Sequence, residues 1–258
     1  MQGYRDLTGR HVVVTGANSG IGACLLRMFL DLGCTVVAAD INGSEISGMA
    51  SDRMCPVICD LSMKEGVDHL FTEAEGFMGS IDIFVANAGF PYYEVIRGPD
   101  WDHIKRIFDV NTLSPIYSYE KMILHLDGRR GMFVLTDSAM GETSMPGFAL
   151  YSSTKFAMNG FSTAVDFERP ENLSLVTVYP VSTDTGFFRN ETTLSMDKPF
   201  PVQTPEHVAA DIINGIRKGK RKVYPCRLYS VSRVVFVLFP PIRYLYRRYY
   251  AKKLMHNR

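Results

Sequence analysis

No acidic side chain follows Asp211: residues 212–258 hold 13 Lys and Arg and not one Asp or Glu. The other 15 bases share residues 1–211 with all 27 acids, so a net charge of −12 precedes a purely basic tail and the overall +1 conceals the division. An acidic body opposes approach to a polyanion, which argues against nucleic acid as a partner. A block of bases this one-sided instead expects an anionic surface. Long apolar runs are also missing. The longest in the tail, Val234 to Ile242, is nine residues and is broken by Pro240 and Pro241, well short of the roughly 20 needed to span a bilayer. The first ten residues lack the apolar run of a signal peptide. Cysteine is sparse and unpaired in pattern: Cys24, Cys34, Cys55, Cys59 and Cys226 form an odd set with no Cys-x-x-Cys. This excludes a disulfide framework and a zinc ribbon and predicts reduced thiols in the cytoplasm. In that setting the sequons at Asn42, Asn172 and Asn190 count as chance matches. Internal repeats, low-complexity segments and an interdomain linker are absent too.

What remains is an ordinary globular composition, 46% hydrophobic and 21% charged over 258 residues, which excludes disordered, collagen-like and coiled-coil chains. His11 to Thr15, HVVVT, reads as a buried strand. Ile21, Leu25, Met28, Phe29 and Leu32 then recur at helical spacing, and Gly33 stops the helix. Further strands are expected at Thr35–Ala39, Pro56–Ile58, Ile81–Ala86, Met132–Thr136, Leu173–Tyr179 and around Val223, with room for helices between them. Alternation of this kind implies right-handed crossovers and a single doubly wound Rossmann-type domain. Its mainly parallel sheet of about seven strands would carry helices on both faces. The domain is expected over residues 1–225, with residues 226–258 as a C-terminal extension.

Thr15 to Gly22, TGANSGIG, joins the first strand to the first helix. There Gly16 permits a tight turn, Gly20 lets backbone approach a pyrophosphate, and Gly22 allows close helix–strand packing, while the helix start supplies amides and a favourable dipole. Asp40 ends the second strand, where a carboxylate accepts bonds from both ribose hydroxyls of NAD and repels the 2′-phosphate of NADP. Neither Ser19 nor Ile41 supplies a compensating cation, so NAD is the expected cofactor. A plain Gly-rich turn and a solvated carboxylate are the alternatives for each feature alone.

These motifs, with others in order along the chain, resemble the short-chain dehydrogenase/reductase family over residues 7–225. Beside the Gly loop, with Asn18, Ser19 and Ile21 inside it, Asp60 and Leu61 fall where the family caps the adenine ring. Asn87, Ala88 and Gly89 resemble its motif that stabilises the sheet beside the cofactor. Asn111 falls at the catalytic Asn, Ser138 follows the fifth strand, and Tyr151 and Lys155 follow that serine by 13 and 17 residues. Pro180, Thr183 and Thr185 match the family's nicotinamide-contacting segment, except that Val181 stands for a glycine and Thr183 for a valine. A β-branched residue resists a positive φ, so a different turn is expected there. A homodimer or homotetramer and no metal are expected with the resemblance, and NAD as argued from Asp40.

Tyr151 and Lys155, four apart on a helix, share a face. An ammonium beside the phenol, together with a positive nicotinamide, would draw the Tyr151 pKa from about 10 toward neutrality and make it a general acid/base. Ser138 would stabilise charge on the substrate oxygen. The resemblance adds that Lys155 holds the nicotinamide ribose and that Asn111 positions a water leading from Lys155 to solvent. Each residue alone also reads as a surface pair, a turn cap or a helix amide. Gly186 to Pro205, with Phe187, Phe188, Leu194, Met196 and Phe200, fits a lid over an apolar substrate or an ordinary surface loop.

In the tail, a helix from Ile242 onward would place Ile242, Leu245, Tyr246 and Tyr249 on one side and Arg243, Arg247 and Arg248 on the other. That is a pattern for peripheral contact with a membrane, or for a subunit interface. The reading is an NAD-dependent alcohol dehydrogenase or ketone reductase acting on a lipophilic small molecule such as a steroid, retinoid or fatty compound. A silent NAD-binding regulator and a membrane-surface scaffold stand as alternatives.

Overall fold

Five apolar or β-branched runs lie side by side because each is buried on both faces, as parallel strands covered by helices must be. The computed structural model describes residues 3–185 and 199–256. Its elements are β1 (His11–Thr15), α1 (Gly20–Asp31), β2 (Thr35–Asp40), β3 (Met54–Ile58), α2 (Lys64–Met78) and β4 (Ile83–Ala86). There follow α3 (Trp101–Phe108), α4 (Ser114–Leu126), β5 (Gly131–Thr136), α5 (Ala149–Glu168), β6 (Leu173–Val178), β7 (Ser182–Thr183) and β8 (Val202–Gln203). The last are α6 (Pro205–Lys218), β9 (Lys222–Val223), α7 (Arg227–Leu238) and α8 (Pro240–His256). One seven-stranded sheet runs β3-β2-β1-β4-β5-β6-β9 with every pairing parallel. This is the doubly wound sheet expected.

The period of two along β1 divides the core. Val12 and Val14 face α1 and α6, packing with Leu25, Phe29, Ile212 and Ile216. Val13 faces the other way, with Phe84, Phe133, Leu70 and Met122 beneath α2 and α4. Strand order reverses at β1, which pairs with β2 on one side and β4 on the other. A crevice opens at the carboxyl ends of the strands at such a switch point.

Some boundaries differ from the periodicity. β4 starts at Ile83 because the Ile81 amide donates to His125 Nε2 at 2.8 Å. The helix expected at Asn111 is instead a π-helical turn, Asp109–Leu113, that joins α3 to α4 without a break. Most of the stretch read as a lid lies outside the described residues. The part from Pro199 onward includes β8, which pairs with β7.

The tail is two helices bent by 114° at Phe239. Among the described residues no single helix is long and apolar enough to cross a membrane, although α7 and α8 together meet that length and composition. The expected division of α8 is corrected at two positions. Tyr246 turns inward and packs on Phe236 with ring centroids 5.4 Å apart, and Arg247 Nε donates to the Ser144 carbonyl at 3.1 Å. Ile242, Leu245, Tyr249 and Arg248 stay exposed. Periodicity separates the two arcs of a helix; the Ser144 carbonyl, reached from 103 residues away, decides which arc faces the body.

Candidate active site

The Gly loop is held open by its own packing. Gly16 has φ +66°, and a Cβ there would sit 2.9 Å from Ala88 Cα; a Cβ on Gly22 would sit 2.0 Å from the Gly16 carbonyl oxygen. Ser19, extended at φ −152°, leads into α1 without capping it through its side chain, so the first-turn amides of α1 are not taken by that residue. Asn87 closes the loop from the neighbouring strand: its Nδ2 donates to the Thr15 carbonyl at 3.0 Å, and its own amide and that of Ala88 donate to Thr15 Oγ1 at 2.9 and 3.0 Å. Asp40 accepts the Asn18 and Asn42 amides, both at 3.0 Å, and is thereby fixed at the cavity's edge.

A cavity of about 990 Å³ runs from this loop to the catalytic candidates. Gly16, Ser19, Gly20, Ile21, Asp40, Asp60, Leu61, Asn87, Ala88 and Gly89 line it, together with Ser138, Tyr151, Lys155, Pro180, Thr183 and Thr185. Three of the residues singled out from the sequence stand behind the wall. The Asn18 side chain binds the Ser44–Ile46 segment, Gly22 packs under Gly16, and Asn111 is 1% exposed. Asn111 Nδ2 donates to the Phe90 carbonyl at 2.9 Å and to Thr154 Oγ1 at 3.2 Å, while its Oδ1 accepts the Phe90 amide. Its side chain therefore fixes the loop after β4 that carries Gly89. Val181 makes its turn without a positive φ, and its carbonyl accepts Thr183 Oγ1 at 3.0 Å.

Lys155 Nζ donates to the Thr136 carbonyl at 2.9 Å and lies 5.7 Å from the centre of the Tyr151 ring. Ser138 Oγ accepts the Met140 amide at 3.0 Å. From the protein's own groups, Tyr151 is not drawn toward neutrality as expected. Burial pushes its pKa above the ordinary phenol value, a hydrogen bond with Ser138 opposes this, and Asp137 pushes it up again. Lys155 is pulled down by the same burial and held up by Asp137.

Asp137 is a group that the sequence reading passed over. It is buried, neither carboxyl oxygen has a hydrogen-bond partner among the described residues, and burial raises its pKa. An acid between the last residue of an apolar strand and Ser138 was the available signal. The tail was also missed as a wall: Leu228, Tyr229, Ser232, Phe236 and Tyr246 line the cavity. Tyr229 OH donates to Ala139 O or Glu142 Oε2, each 3.0 Å away, and Arg233 pairs with Glu142 at 3.4 Å.

These pKa directions carry an expected pH dependence. A phenol above its ordinary value is protonated at neutral pH, ready to give a proton to a carbonyl and unready to take one from an alcohol. Oxidation should therefore gain about a hundredfold in kcat/KM between pH 7 and 9, about tenfold per pH unit, while reduction holds level at neutral pH and falls in alkali. Paired pH–rate profiles check this; an oxidation rate flat across that range would contradict it.

A family model, short chain dehydrogenase, matches residues 10–194. The chain is 30% identical over 235 residues to a 3-dehydrosphinganine reductase of Danio rerio, covering 83% of this chain and 70% of that one. It is 28% identical to epidermal retinol dehydrogenase 2 of Homo sapiens, over 87% and 76%, and 27% identical to 17-beta-hydroxysteroid dehydrogenase 13 of Mus musculus, over 90% and 78%. Among solved structures, a 3-ketoacyl-(acyl-carrier-protein) reductase from Brucella melitensis complexed with NADH superposes with a TM-score of 0.74 at 22% identity, over 86% of this chain and 99% of that one. A short chain dehydrogenase from Burkholderia cenocepacia in complex with NADP gives 0.78 at 22%, over 94% and 97%.

Proposed function

Because this chain belongs to the short-chain dehydrogenase/reductase family, we propose that it is an NAD-dependent oxidoreductase interconverting a secondary alcohol and a ketone, or an alcohol and an aldehyde, on a lipophilic small molecule. The observation that carries this reading is one cavity that joins the Gly loop and Asp40 to Ser138, Tyr151 and Lys155. Its wall includes apolar and aromatic side chains, among them Phe90, Met140, Met145, Leu228 and Phe236. Relatives that carry the names of a sphingoid-base reductase, a retinol dehydrogenase and a hydroxysteroid dehydrogenase support a lipophilic substrate.

The residues fit a nicotinamide dinucleotide. Gly16 and Gly20 leave the space that a Cβ would fill, α1 begins beside them with the positive end of its dipole, and Asp60 and Leu61, which line the same cavity, would hold the adenine ring. When bound, the nicotinamide supplies or accepts the hydride. Tyr151 gives the proton to a carbonyl oxygen or takes it from an alcohol. The Ser138 hydroxyl holds that oxygen, and Lys155 keeps positive charge beside the phenol. Asn111 acts as a positioning residue through Phe90 and Gly89.

Asp40 supports NAD over NADP. Arg106 and Lys155 are the only Lys or Arg lining the cavity among the described residues; Arg106 lies over the Phe90 ring at 5.4 Å and Lys155 bonds the Thr136 carbonyl. A 2′-phosphate beside Asp40 would therefore meet repulsion without compensation. Asp40→Ala is expected to narrow the NAD preference about tenfold or more, measured as the ratio of kcat/KM values for the two cofactors. A wild-type enzyme that prefers NADP would reverse the reading.

In this reading the enzyme is cytoplasmic and a homodimer or homotetramer, and its basic tail makes peripheral contact with a membrane surface. NADH formation from any lipophilic secondary alcohol tests the activity. Its absence across a broad panel with both cofactors would favour the silent regulator or the scaffold.

A further inference from the structure

The inward face of the tail is occupied, and its outward face is not. Tyr229 and Arg233 hold α7 to Glu142, Arg247 holds α8 to Ser144, and Leu254 is buried with Tyr92, Tyr93, Phe148 and Tyr151. The helices therefore have a fixed seat on the body, and what they turn to solvent is also fixed. On α7 that face is Val231, Val234, Val237 and Leu238; across the bend it continues through Phe239 to Ile242 and Leu245. Val237 is 72% exposed and Leu245 62%. Exposed bases, Arg227, Arg248 and Lys252, accompany this stripe, and no acid occurs anywhere in the segment.

Two occupants could cover an apolar face of this kind: a second copy of the chain, or lipid. An isologous contact would bring two purely basic segments together with no acid from either tail to offset them. An anionic bilayer meets both features at once, taking the apolar side chains into the headgroup boundary and the bases against its charge.

The same stripe reaches the mouth of the cavity. Leu228 lines the cavity and is also 53% exposed, one helical turn from Val231, and Phe200, also lining it, is 72% exposed. Both are apolar residues that a soluble mouth would not need. We infer that the outer face of α7 and α8 seats the enzyme on an anionic bilayer and that its lipophilic substrate passes from the lipid past Leu228 and Phe200 into the cavity. Such a route spares the substrate the cost of exposing each methylene to water. The inference rests on the lipophilic-substrate reading, and the experiment separates the two.

Full-length protein and the double variant Val237→Glu/Leu245→Glu, altered at two exposed positions that do not line the cavity, are compared on phosphatidylcholine vesicles with and without phosphatidylserine. The wild type is expected to co-sediment with the anionic vesicles and to lose about tenfold or more of that partition in high salt. The double variant should stay in the supernatant. It should keep wild-type turnover of a short, water-soluble secondary alcohol and lose about tenfold of its turnover of a long-chain alcohol dissolved in the vesicles. Docking is overturned if the wild type ignores anionic vesicles at low salt, or if the double variant only splits an oligomer. The entry route is overturned if the detached variant turns over vesicle-borne alcohol at the wild-type rate. Wild-type protein that binds the vesicles and oxidises no alcohol, short or long, with either cofactor would overturn the functional reading, and the entry route with it, and leave docking standing.

Discussion

Replacing Tyr151 with Phe is expected to lower kcat by about a hundredfold or more while leaving NADH affinity within a factor of about two. The ring is part of a packed cluster that also holds Tyr93 and Leu254, with its centroid 6.3 Å from that of Phe148. Phe keeps that volume and removes only the hydroxyl. What is lost is the phenolic proton beside Ser138 and Lys155. Because burial already holds Tyr151 protonated, the substitution removes no charge from the interior, and the melting temperature should stay within a few degrees. Steady-state kinetics and quenching of NADH fluorescence separate the two effects. Wild-type turnover in this variant would remove Tyr151 from the chemistry.

The second large effect is expected at Gly22. A Cβ there would lie 2.0 Å from the Gly16 carbonyl oxygen and 2.8 Å from Asn87 Nδ2, so backbone, not a pliant side chain, must yield. Overpacking commonly costs about 1–3 kcal/mol, and a backbone obstacle puts Gly22→Ala at the upper end. If the loop rather than the fold gives way, about 3 kcal/mol appears as roughly a hundredfold rise in the NADH dissociation constant. Gly76→Ala is the control: it lies in α2 with no atom within 4 Å of its added carbon, and should leave binding unchanged. A Gly22→Ala protein that melts and binds NADH like the wild type would show that this contact is not what shapes the loop.

Tyr151 and Gly22 illustrate two kinds of legibility. Gly22 was readable because a glycine between strand and helix answers a local need, the close approach of two backbone segments. The partnership of Tyr151 with Lys155 was readable because helical spacing alone puts residues four apart on one face. Asn111 was found by its place in a pattern, but its amide does something the pattern did not specify: it ties down Phe90. Asp137 went unread because a carboxylate at a strand end is ordinarily solvated. Only in the folded chain is this one seen to be enclosed, 2% exposed and so close to Gly141 that a Cβ there would lie 2.6 Å from its carboxyl.

By itself the sequence determined the alternation of strands and helices, the parallel sheet, the Gly loop with Asp40 at the next strand's end, and the charge division at Asp211. All of these follow from periodicity, turn chemistry and spacing within a few tens of residues. Tertiary structure alone decided that the tail is a wall of the cavity, that Tyr246 and Arg247 face inward, and that the apolar stripe of α7 meets the mouth at Leu228. The physical reason is that a helix's pattern shows two faces without showing what each will meet. The partners that chose between them, Glu142 and Ser144, lie about 90 to 100 residues away along the chain.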